Sequence, residues 1–350
     1  MTADADAGPI LIWGAGAVGG TIGACLARAG HPVVVVDVVA EHVAAIAERG
    51  LALEGPLGGF TQRLAAFTPD QLDAAAQQGG RYRRSLLCVK AQHTAAAAAA
   101  LRPFLSDDGY VVSAQNGLNE RVIAEIVGPA RTIGAFVNFG ADYLGPGRVV
   151  YGGRGAVVVG EIDGRRTPRL AALHRTLCDF EPAAVATDNI WGYLWGKLAY
   201  GALLFATALT HDSIADALAL PQYFAAYRAL GAEVLGAAAA ERVRPEGFNG
   251  FDPAAFEAGA DPAATRRSID EMVAHNRRSA KSHSGIWRDL AVRKRRTEVD
   301  AQIAIVAEIA AAHRRTTPVL DRLVRLVHEI EDGQRPQGRA NLDALAEAAR

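Results

Sequence analysis

The sequence predicts an α/β fold, with a doubly wound parallel sheet in the N-terminal half and an all-α C-terminal domain. In the first half, short β-branched runs alternate with alanine-rich stretches of helical period, which is typical of parallel sheets with crossover helices. After Asp188 these runs end, and apolar residues recur every three or four positions to residue 330. We therefore expect a Rossmann-type domain at residues 1–188, a helical domain at 189–335 and a loosely held polar tail at 336–350.

Length and charge limit the class of protein. The chain has 350 residues, more than the ~250–300 at which a single core stops growing, so two domains are expected. Lys and Arg number 37 and Asp and Glu 38, and this balance provides no field that would attract nucleic acid or anionic lipid. We expect neither nucleic acid nor a membrane surface as a partner.

The cysteines and the N-terminus indicate the compartment. Cys25, Cys88 and Cys178 are far apart and form no CxxC pair, which suits a reducing environment. The first apolar stretch is broken by glycines and follows no basic segment, unlike a signal peptide. No uninterrupted apolar run reaches the ~18 residues of a membrane helix. A cytoplasmic protein is therefore predicted.

The individual elements follow from the same patterns. The last long helix has a defined start and stop, with Thr317 as N-cap, Pro318 at its first position and Gly333 after its end. Residues 244–262 are rich in glycine and proline and are predicted to be a surface connection. In the first domain we expect strands at 10–14, 32–38, 84–90, 110–116 and 132–139, and helices at 17–29, 41–48, 93–101 and 119–126.

A glycine-rich turn follows the first predicted strand. Gly14, Gly16 and Gly19 have the G-x-G-x-x-G spacing at the start of a helix, where a dinucleotide pyrophosphate faces the positive helix end. A glycine turn that binds no dinucleotide is the alternative. The residues predicted to contact the cofactor here are Gly14, Ala15, Gly16, Ala17, Val18 and Gly19.

Asp37 ends the second predicted strand, close to the ~20-residue offset at which an acid accepts the ribose hydroxyls. A carboxylate there repels the 2′-phosphate of NADP, and residues 38–48 contain no Lys or Arg. We therefore predict NAD as the preferred cofactor, with NADP as the alternative. A solvated Asp at a strand end is the structural alternative.

Five segments, in this order after the glycine turn, carry a resemblance to a known family. They are LLCVKAQHT (86–94), AQNGLNE (114–120), GPGRVVYGGRGAVVVGEIDG (145–164), LWGKLAYGALL (194–204) and RRTEVDA (295–301). From about residue 10 to 330 the chain resembles the ketopantoate reductase (2-dehydropantoate 2-reductase) family of pantothenate biosynthesis. The resemblance implies a Rossmann domain followed by a helical domain, with a 2-oxo acid bound beside the nicotinamide of NAD or NADP.

The resemblance also implies roles for single residues. Lys197 matches the family's catalytic lysine and Glu298 its conserved acid. Lys90 and Asn116 match residues that border the cofactor and the substrate. Either Ser284 or Ser282 lies about where the family has a serine that holds the substrate carboxylate.

Two departures from the family pattern bear on specificity. The family usually has asparagines four and eight residues after the lysine to bind substrate hydroxyls, where this chain has Gly201 and Phe205. Loss of such donors weakens selection of a hydroxylated substrate, and we expect the ring of Phe205 to add an apolar surface there. We therefore expect a less hydroxylated or aromatic 2-oxo acid. The family also favours NADPH through an arginine after the second strand, where this chain has Asp37.

The chemistry of Lys197 fits such a reduction. Hydride addition to a ketone builds negative charge on the carbonyl oxygen, which an ammonium group stabilises and protonates. Glu298 is the expected partner that keeps the lysine charged, since apolar Val299, Ile303, Val306 and Ile309 follow it on one helix face. Gly201 would leave room beside the lysine. The alternative is a lysine whose stem is buried and whose head reaches water.

We predict an NAD(P)-dependent reductase that interconverts a 2-oxo acid and a 2-hydroxy acid without a metal. The alternatives are a β-hydroxy acid dehydrogenase and a binding module that senses the NAD redox state. His211 and His283 are expected to be helix-end or surface residues, and the basic run at 288–298 is expected to be a solvated face. A homodimer is compatible with the alanine-rich helical domain, although no motif specifies an interface.

Overall fold

The chain divides between Ile190 and Trp191 into two units. The structure, a computed structural model, describes residues 8–76, 81–279 and 282–350. Both units have their own buried side chains: Ile12 and Val35 lie inside the first, Leu203 and Val306 inside the second.

A mixed sheet organises the first unit, and ten strands belong to it among the described residues. They are β1 (Ile10–Trp13), β2 (Val33–Val36), β3 (Leu51–Glu54), β4 (Phe60–Gln62), β5 (Ala65–Phe67), β6 (Tyr82–Leu87), β7 (Leu105–Ser113), β8 (Thr132–Gly145), β9 (Arg148–Glu161) and β10 (Val185–Ala186). Their order is β4-β3-β9-β8-β7-β6-β1-β2-β5, with β10 beside β9.

The strands from β5 to β8 in this order, β5-β2-β1-β6-β7-β8, are all parallel. From β1 the chain adds β2 and β5 on one side of the sheet, and it then crosses back to add β6, β7 and β8 on the other side of β1, which is the doubly wound Rossmann arrangement. The predicted fold class is confirmed. The antiparallel β8–β9 pair and the small β3–β4 pair make the sheet mixed.

Helices cover both faces of this sheet. They are α1 (Ala17–Arg28), α2 (Ala40–Arg49), α3 (Pro69–Ala76), α4 (Thr94–Leu101), α5 (Asn119–Val127) and α6 (Pro168–Cys178). In β1, Ile10 and Ile12 face one apolar cluster while Leu11 and Trp13 face the other. A strand buried on both faces explains why this segment is continuously apolar rather than alternating.

The regular secondary structure in the described residues of the second unit is helical, apart from one isolated β-bridge between Phe248 and Phe251. This confirms the all-α prediction. A π-helical turn at Asp300–Ala304 leads directly into α12. The helices are α7 (Ile190–Thr207), α8 (Ile214–Leu218), α9 (Phe224–Ala240), α10 (Pro262–Arg278), α11 (Gly285–Ala291), α12 (Ile305–Ala312), α13 (Pro318–Glu331) and α14 (Arg339–Ala348).

The start and stop of α13 agree with the sequence, but its cap differs. Thr317 occupies the N-cap position without a side-chain capping bond. Instead, Glu233 on α9 accepts the N–H groups of Val319 at 3.0 Å and Leu320 at 2.8 Å. Because these donors lie at a positive helix end, a carboxylate is a suitable acceptor.

Two expectations about irregular segments are wrong. The polar tail forms α14, and Leu342 and Leu345 are buried because they share one face of that helix. The predicted surface connection at 244–262 contributes Phe251 and Phe256 to the interior, with ring centroids 5.0 Å apart. Sparse apolar residues in polar segments thus attach both segments to the second unit.

Candidate active site

Four predicted site residues of the first unit follow four neighbouring parallel strands. Gly14 follows β1, Asp37 follows β2, Lys90 comes after β6 and Asn116 after β7. The last residues of these strands are in register, with Trp13 beside both Val36 and Leu87, and Leu87 beside Ser113. The loops therefore leave the same carboxyl edge, where doubly wound sheets bind ligands next to the reversal of strand order. Here that reversal lies between β1 and β6.

Two of the three glycines in the turn are required for steric reasons, and the third faces open space. Gly14 has φ +99°, and a Cβ there would lie 3.0 Å from the backbone of Cys88. A Cβ on Gly19 would lie 2.0 Å from the carbonyl oxygen of Gly14, so helix and turn approach closely. A Cβ on Gly16 would meet no atom within 4 Å. The space at Gly16, beside the uncapped N-terminus of α1, fits a dinucleotide pyrophosphate.

Asp37 is held against this turn. Its Oδ2 accepts the N–H of Ala15 at 2.9 Å, and its Oδ1 accepts the N–H of Val39 at 3.0 Å. A carboxylate has about four lone-pair positions, so ribose hydroxyls have acceptors left. Burial and the nearby charges of Asp37 and Glu41 raise the pKa of Tyr143, which indicates two carboxylates close to this surface.

A buried polar network joins the loops that carry Lys90 and Asn116. Gln115 Nε2 donates to Val89 O at 2.9 Å and to Thr94 Oγ1 at 2.8 Å. Thr94 Oγ1 lies 2.9 Å from Asn119 Oδ1, and Asn119 Nδ2 donates to Asn116 O at 2.7 Å. The roles of Thr94, Gln115 and Asn119 were not predicted from the sequence, although the polar residues that recur within segments 86–94 and 114–120 were a signal.

The side chains of Lys90 and Asn116 are exposed, while the network beneath them, Thr94, Gln115 and Asn119, is buried. This arrangement fixes the backbone on both sides of the exposed pair. The carboxyl edge therefore presents an ammonium group and an amide from two loops that cannot move independently.

In the second unit, Lys197 lies in the middle of α7. The helix is buried on most sides, and Gly196 is required because a Cβ there would lie 2.0 Å from Glu246 O. Lys197 is half-buried. One turn further on, Gly201 is half-buried, and a Cβ on it would meet no atom within 4 Å. The position one turn beyond the lysine thus faces open space.

Phe205 corrects an expectation about the substrate site. We expected its ring to add an apolar surface there, but the side chain is fully buried, with no exposed area. At 100° per residue, position 205 lies about 80° around the helix from Lys197 and position 201 only about 40°. The helix therefore places Gly201 beside the lysine and directs Phe205 into the core.

Glu298 immediately precedes the helix that starts with the π-turn, and its carbonyl accepts the N–H of Gln302 at 3.0 Å. Glu298 is half-buried, and Val299 and Thr297 on either side of it are buried. Glu331 on α13 accepts both the N–H and the hydroxyl of Thr297 at 2.7 Å. The backbone that carries Glu298 is therefore fixed from one side by a buried carboxylate.

The two candidate serines differ in their surroundings. Ser284 is buried, and its Oγ accepts the N–H of Trp287 at 3.1 Å as the N-cap of α11. Ser282 is exposed, and its Oγ lies 2.9 Å from His283 Nδ1. The hydroxyl of Ser284 can still donate its proton, because the helix uses only one of the two lone pairs on its oxygen.

The structure brings the glycine turn, Asp37, Lys90 and Asn116 to one sheet edge of the first unit. Lys197 with Gly201, Ser284, and Glu298 lie on three elements of the second unit. Within residues 8–76, 81–279 and 282–350 there is no group of three His, Cys, Asp or Glu side chains placed to hold a metal ion. No helix formed by the described residues is long and apolar enough to cross a membrane.

Two protein-family models match the chain. The model described as ketopantoate reductase PanE/ApbA matches residues 10–164, and the model for its C-terminal region matches residues 189–331. A 2-dehydropantoate 2-reductase of Archaeoglobus fulgidus is 27% identical over 326 residues, which cover 93% of this chain and 98% of that protein. One from Mesorhizobium japonicum is 25% identical and covers 92% and 97% of the two chains.

Solved structures show the same fold. A PanE/ApbA family ketopantoate reductase from Ralstonia eutropha JMP134 superposes with a TM-score of 0.77 at 28% identity, covering 93% of this chain and 99% of that one. D-mandelate dehydrogenase with NADH and anilino(oxo)acetate superposes with a TM-score of 0.80 at 21% identity, with coverage of 93% and 99%.

Proposed function

The chain belongs to the ketopantoate reductase family of NAD(P)-dependent oxidoreductases, and on that premise we propose that it reduces a 2-oxo acid to the 2-hydroxy acid with Lys197 as general acid. The observation that carries the proposal is the setting of Lys197. An ammonium group on a largely buried helix, with open space at Gly201 one turn away, is suited to a bound carbonyl oxygen.

The roles follow from the charge that develops during reduction. Bound NAD(P)H supplies the hydride. Lys197 stabilises the negative charge on the carbonyl oxygen and donates the proton that completes the hydroxyl group. Glu298 keeps the lysine charged and in place, and Ser284 or Ser282 binds the substrate carboxylate. Asn116 and Lys90 contribute polar contacts at the edge of the cofactor site.

We propose NADH as the preferred cofactor. The turn from Gly14 to Gly19 would hold the pyrophosphate and Asp37 the adenosine ribose. A 2′-phosphate would meet the charges of Asp37 and Glu41, whereas a free 2′-hydroxyl donates to a carboxylate. Comparison of kcat/KM for NADH and NADPH tests this, and equal or better use of NADPH would refute it.

We propose further that the preferred 2-oxo acid is less hydroxylated than 2-dehydropantoate or carries an aromatic group. Gly201 offers no hydrogen-bond donor, and the open space at its Cβ position supports a bulkier substituent. The superposition with D-mandelate dehydrogenase motivates an aryl 2-oxo acid in the test panel.

The experiment is NADH oxidation with 2-dehydropantoate, phenylglyoxylate and straight-chain 2-oxo acids. We expect kcat/KM for 2-dehydropantoate to lie below ~10⁴ M⁻¹s⁻¹, the lower range of ordinary enzymes. For another acid of the panel, kcat/KM should exceed this value. Gly201→Asn should restore a donor and raise the preference for 2-dehydropantoate by roughly tenfold, the value of one net hydrogen bond. Gly201→Ala is the matched control without a donor. Efficient turnover of 2-dehydropantoate by the wild-type protein would refute the substrate proposal.

The domain roles are proposed on the same basis. Residues 1–188 would bind the cofactor and residues 189–335 supply the catalytic lysine and acid. A cytoplasmic location is supported by Cys25, Cys88 and Cys178, which are free. The homodimer stays a prediction.

A further inference from the structure

The backbone of Ala15, inside the glycine-rich turn, is held by two side chains, one at its N–H and one at its carbonyl oxygen. Its N–H donates to Asp37 Oδ2 at 2.9 Å, and its carbonyl oxygen lies 2.9 Å from His42 Nε2. Ala15 and His42 are both buried. A buried carbonyl without a partner is costly, so His42 has a specific task that an apolar residue of α2 would not perform.

The second nitrogen of His42 determines which atom carries the proton. Gly147 N–H donates to His42 Nδ1 at 2.9 Å, so Nδ1 is an acceptor. In a neutral imidazole the hydrogen is then on Nε2, which donates to Ala15 O. The edge of the Tyr143 ring packs on the imidazole, with centroids 5.1 Å apart. The imidazole of His42 therefore connects the backbone at Ala15 to a second backbone segment, at Gly147.

That other segment is the turn between β8 and β9, residues 146–147. Gly147 has φ +74°, and a Cβ there would lie 3.0 Å from Ala45 Cβ on α2. Its carbonyl oxygen accepts the N–H of Ala52 at 2.9 Å. The turn is thus seated closely on α2 and β3, which gives a structural reason for the GPG at the start of the quoted segment 145–164.

We propose that His42 is a positioning residue for the dinucleotide: its Nε2–H holds the carbonyl oxygen of Ala15 and so fixes the glycine-rich turn before the pyrophosphate binds, while Gly147 N–H orients the ring. The proposal rests on the cofactor-binding part of the proposed function. A turn fixed in advance loses less conformational freedom on binding, and the benefit appears in the affinity for the pyrophosphate rather than in the chemical step.

Two near-isosteric variants separate the two hydrogen bonds of His42. His42→Gln places an amide near the Nε2 position and retains a donor for Ala15 O. His42→Asn places its oxygen near Nδ1 and retains only the acceptor for Gly147. We expect His42→Asn to weaken NADH and ADP-ribose binding by ~3–10-fold, the value of about one net hydrogen bond. His42→Gln should bind within about twofold of wild type at matched stability.

The readouts are calorimetric dissociation constants, chemical denaturation of each variant, and kcat and KM for the 2-oxo acid at saturating NADH. The last two constants should not change. If His42 had a purely structural role, both variants would lose the same NADH affinity, in proportion to their loss of stability. This result would overturn the proposal. Wild-type protein that binds no NADH would instead refute the cofactor site itself.

A measurement on the wild-type protein is independent of whether the variants fold. Nitrogen-15 NMR of histidine-labelled protein should show His42 with its proton on Nε2, with and without NADH. A proton on Nδ1 would contradict the proposal directly, because Gly147 N–H would then have no acceptor.

Discussion

Replacement of Glu331 by glutamine tests how the segment that carries Glu298 is held. Glu331 is 1% exposed, and its carboxylate accepts from Thr297 twice at 2.7 Å, and from His328 Nδ1 and Arg296 Nη1 at 2.9 Å. Burial raises its pKa, but the hydrogen bonds from Thr297, Arg296 and His328 outweigh this effect and lower the pKa. The charged form is thus the one the fold requires.

The magnitude follows from these contacts. Glu331→Gln retains an oxygen for Thr297 but removes the charge and places an NH₂ group near another donor. Hydrogen bonds to charged groups contribute about 1.5–3 kcal/mol, so we expect a loss of about 2 kcal/mol in the unfolding free energy of the second unit. Turnover should also fall, because the Thr297 anchor next to Glu298 loosens.

The assay is urea denaturation followed by far-UV circular dichroism, together with kcat. Glu329→Gln is the matched control on the same helix, because Glu329 pairs with partly exposed Arg322 and Arg335 instead, and such pairs contribute little. If Glu331→Gln were as stable and active as the control, the anchoring role of Glu331 would be wrong.

The same cluster predicts a pH dependence. Burial lowers the pKa of His328, but bonds to Glu331 and Asp300 raise it above its ordinary 6.5 overall. A raised histidine pKa stabilises the fold fully below 6.5, and this contribution is lost as pH rises through the folded value. The lowered pKa of Glu331 stabilises the fold above its ordinary 4.5, and this contribution is lost as pH falls. The contribution of the cluster to stability is therefore largest at pH values between 4.5 and 6.5.

Two further predictions concern residues that the sequence analysis did not single out. Gln115→Leu should raise the KM for NADH several-fold, with a smaller effect on kcat. The substitution removes both hydrogen bonds that the Gln115 amide donates, to Val89 O and to Thr94 Oγ1, and these bonds join the Lys90 loop to the Asn116 loop. An unchanged KM in steady-state kinetics would contradict this prediction. Leu345→Ala should destabilise the second unit by about 2–4 kcal/mol, as expected for a fully buried leucine. Truncation of the chain after Gln334 should destabilise it by at least as much. If neither change altered the urea denaturation curve, α14 would not be part of the core.

The sequence predicted the parts of the fold that depend on local pattern. The runs at 10–14 and 32–38 became β1 and β2, and the glycine turn leads from β1 directly into α1, as its spacing predicted. Continuous burial on both faces and a helix start after glycine are local properties, so neighbouring residues suffice to reveal them.

The parts that were missed depend on partners distant in the chain. His42 meets Gly147, which is 105 residues away, and Glu233 caps a helix 86 residues further on. Strand β9 contains four glycines (Gly152, Gly153, Gly155 and Gly160), and its antiparallel pairing with β8 outweighs their low strand propensity. The position of Phe205 in the core required the helix axis and its surroundings, which spacing from Lys197 alone does not give.

The central claim is that Lys197 is the general acid, and Lys197→Ala tests it most directly, with Lys294→Ala as the control for loss of an exposed lysine in the same unit. We expect Lys197→Ala to lower kcat by ~10²–10⁴-fold, about 3–5 kcal/mol at 1.36 kcal/mol per tenfold. Its NADH dissociation constant and its urea midpoint should match those of the control. Wild-type kcat in a folded Lys197→Ala protein, or a loss of activity explained wholly by unfolding, would contradict the account.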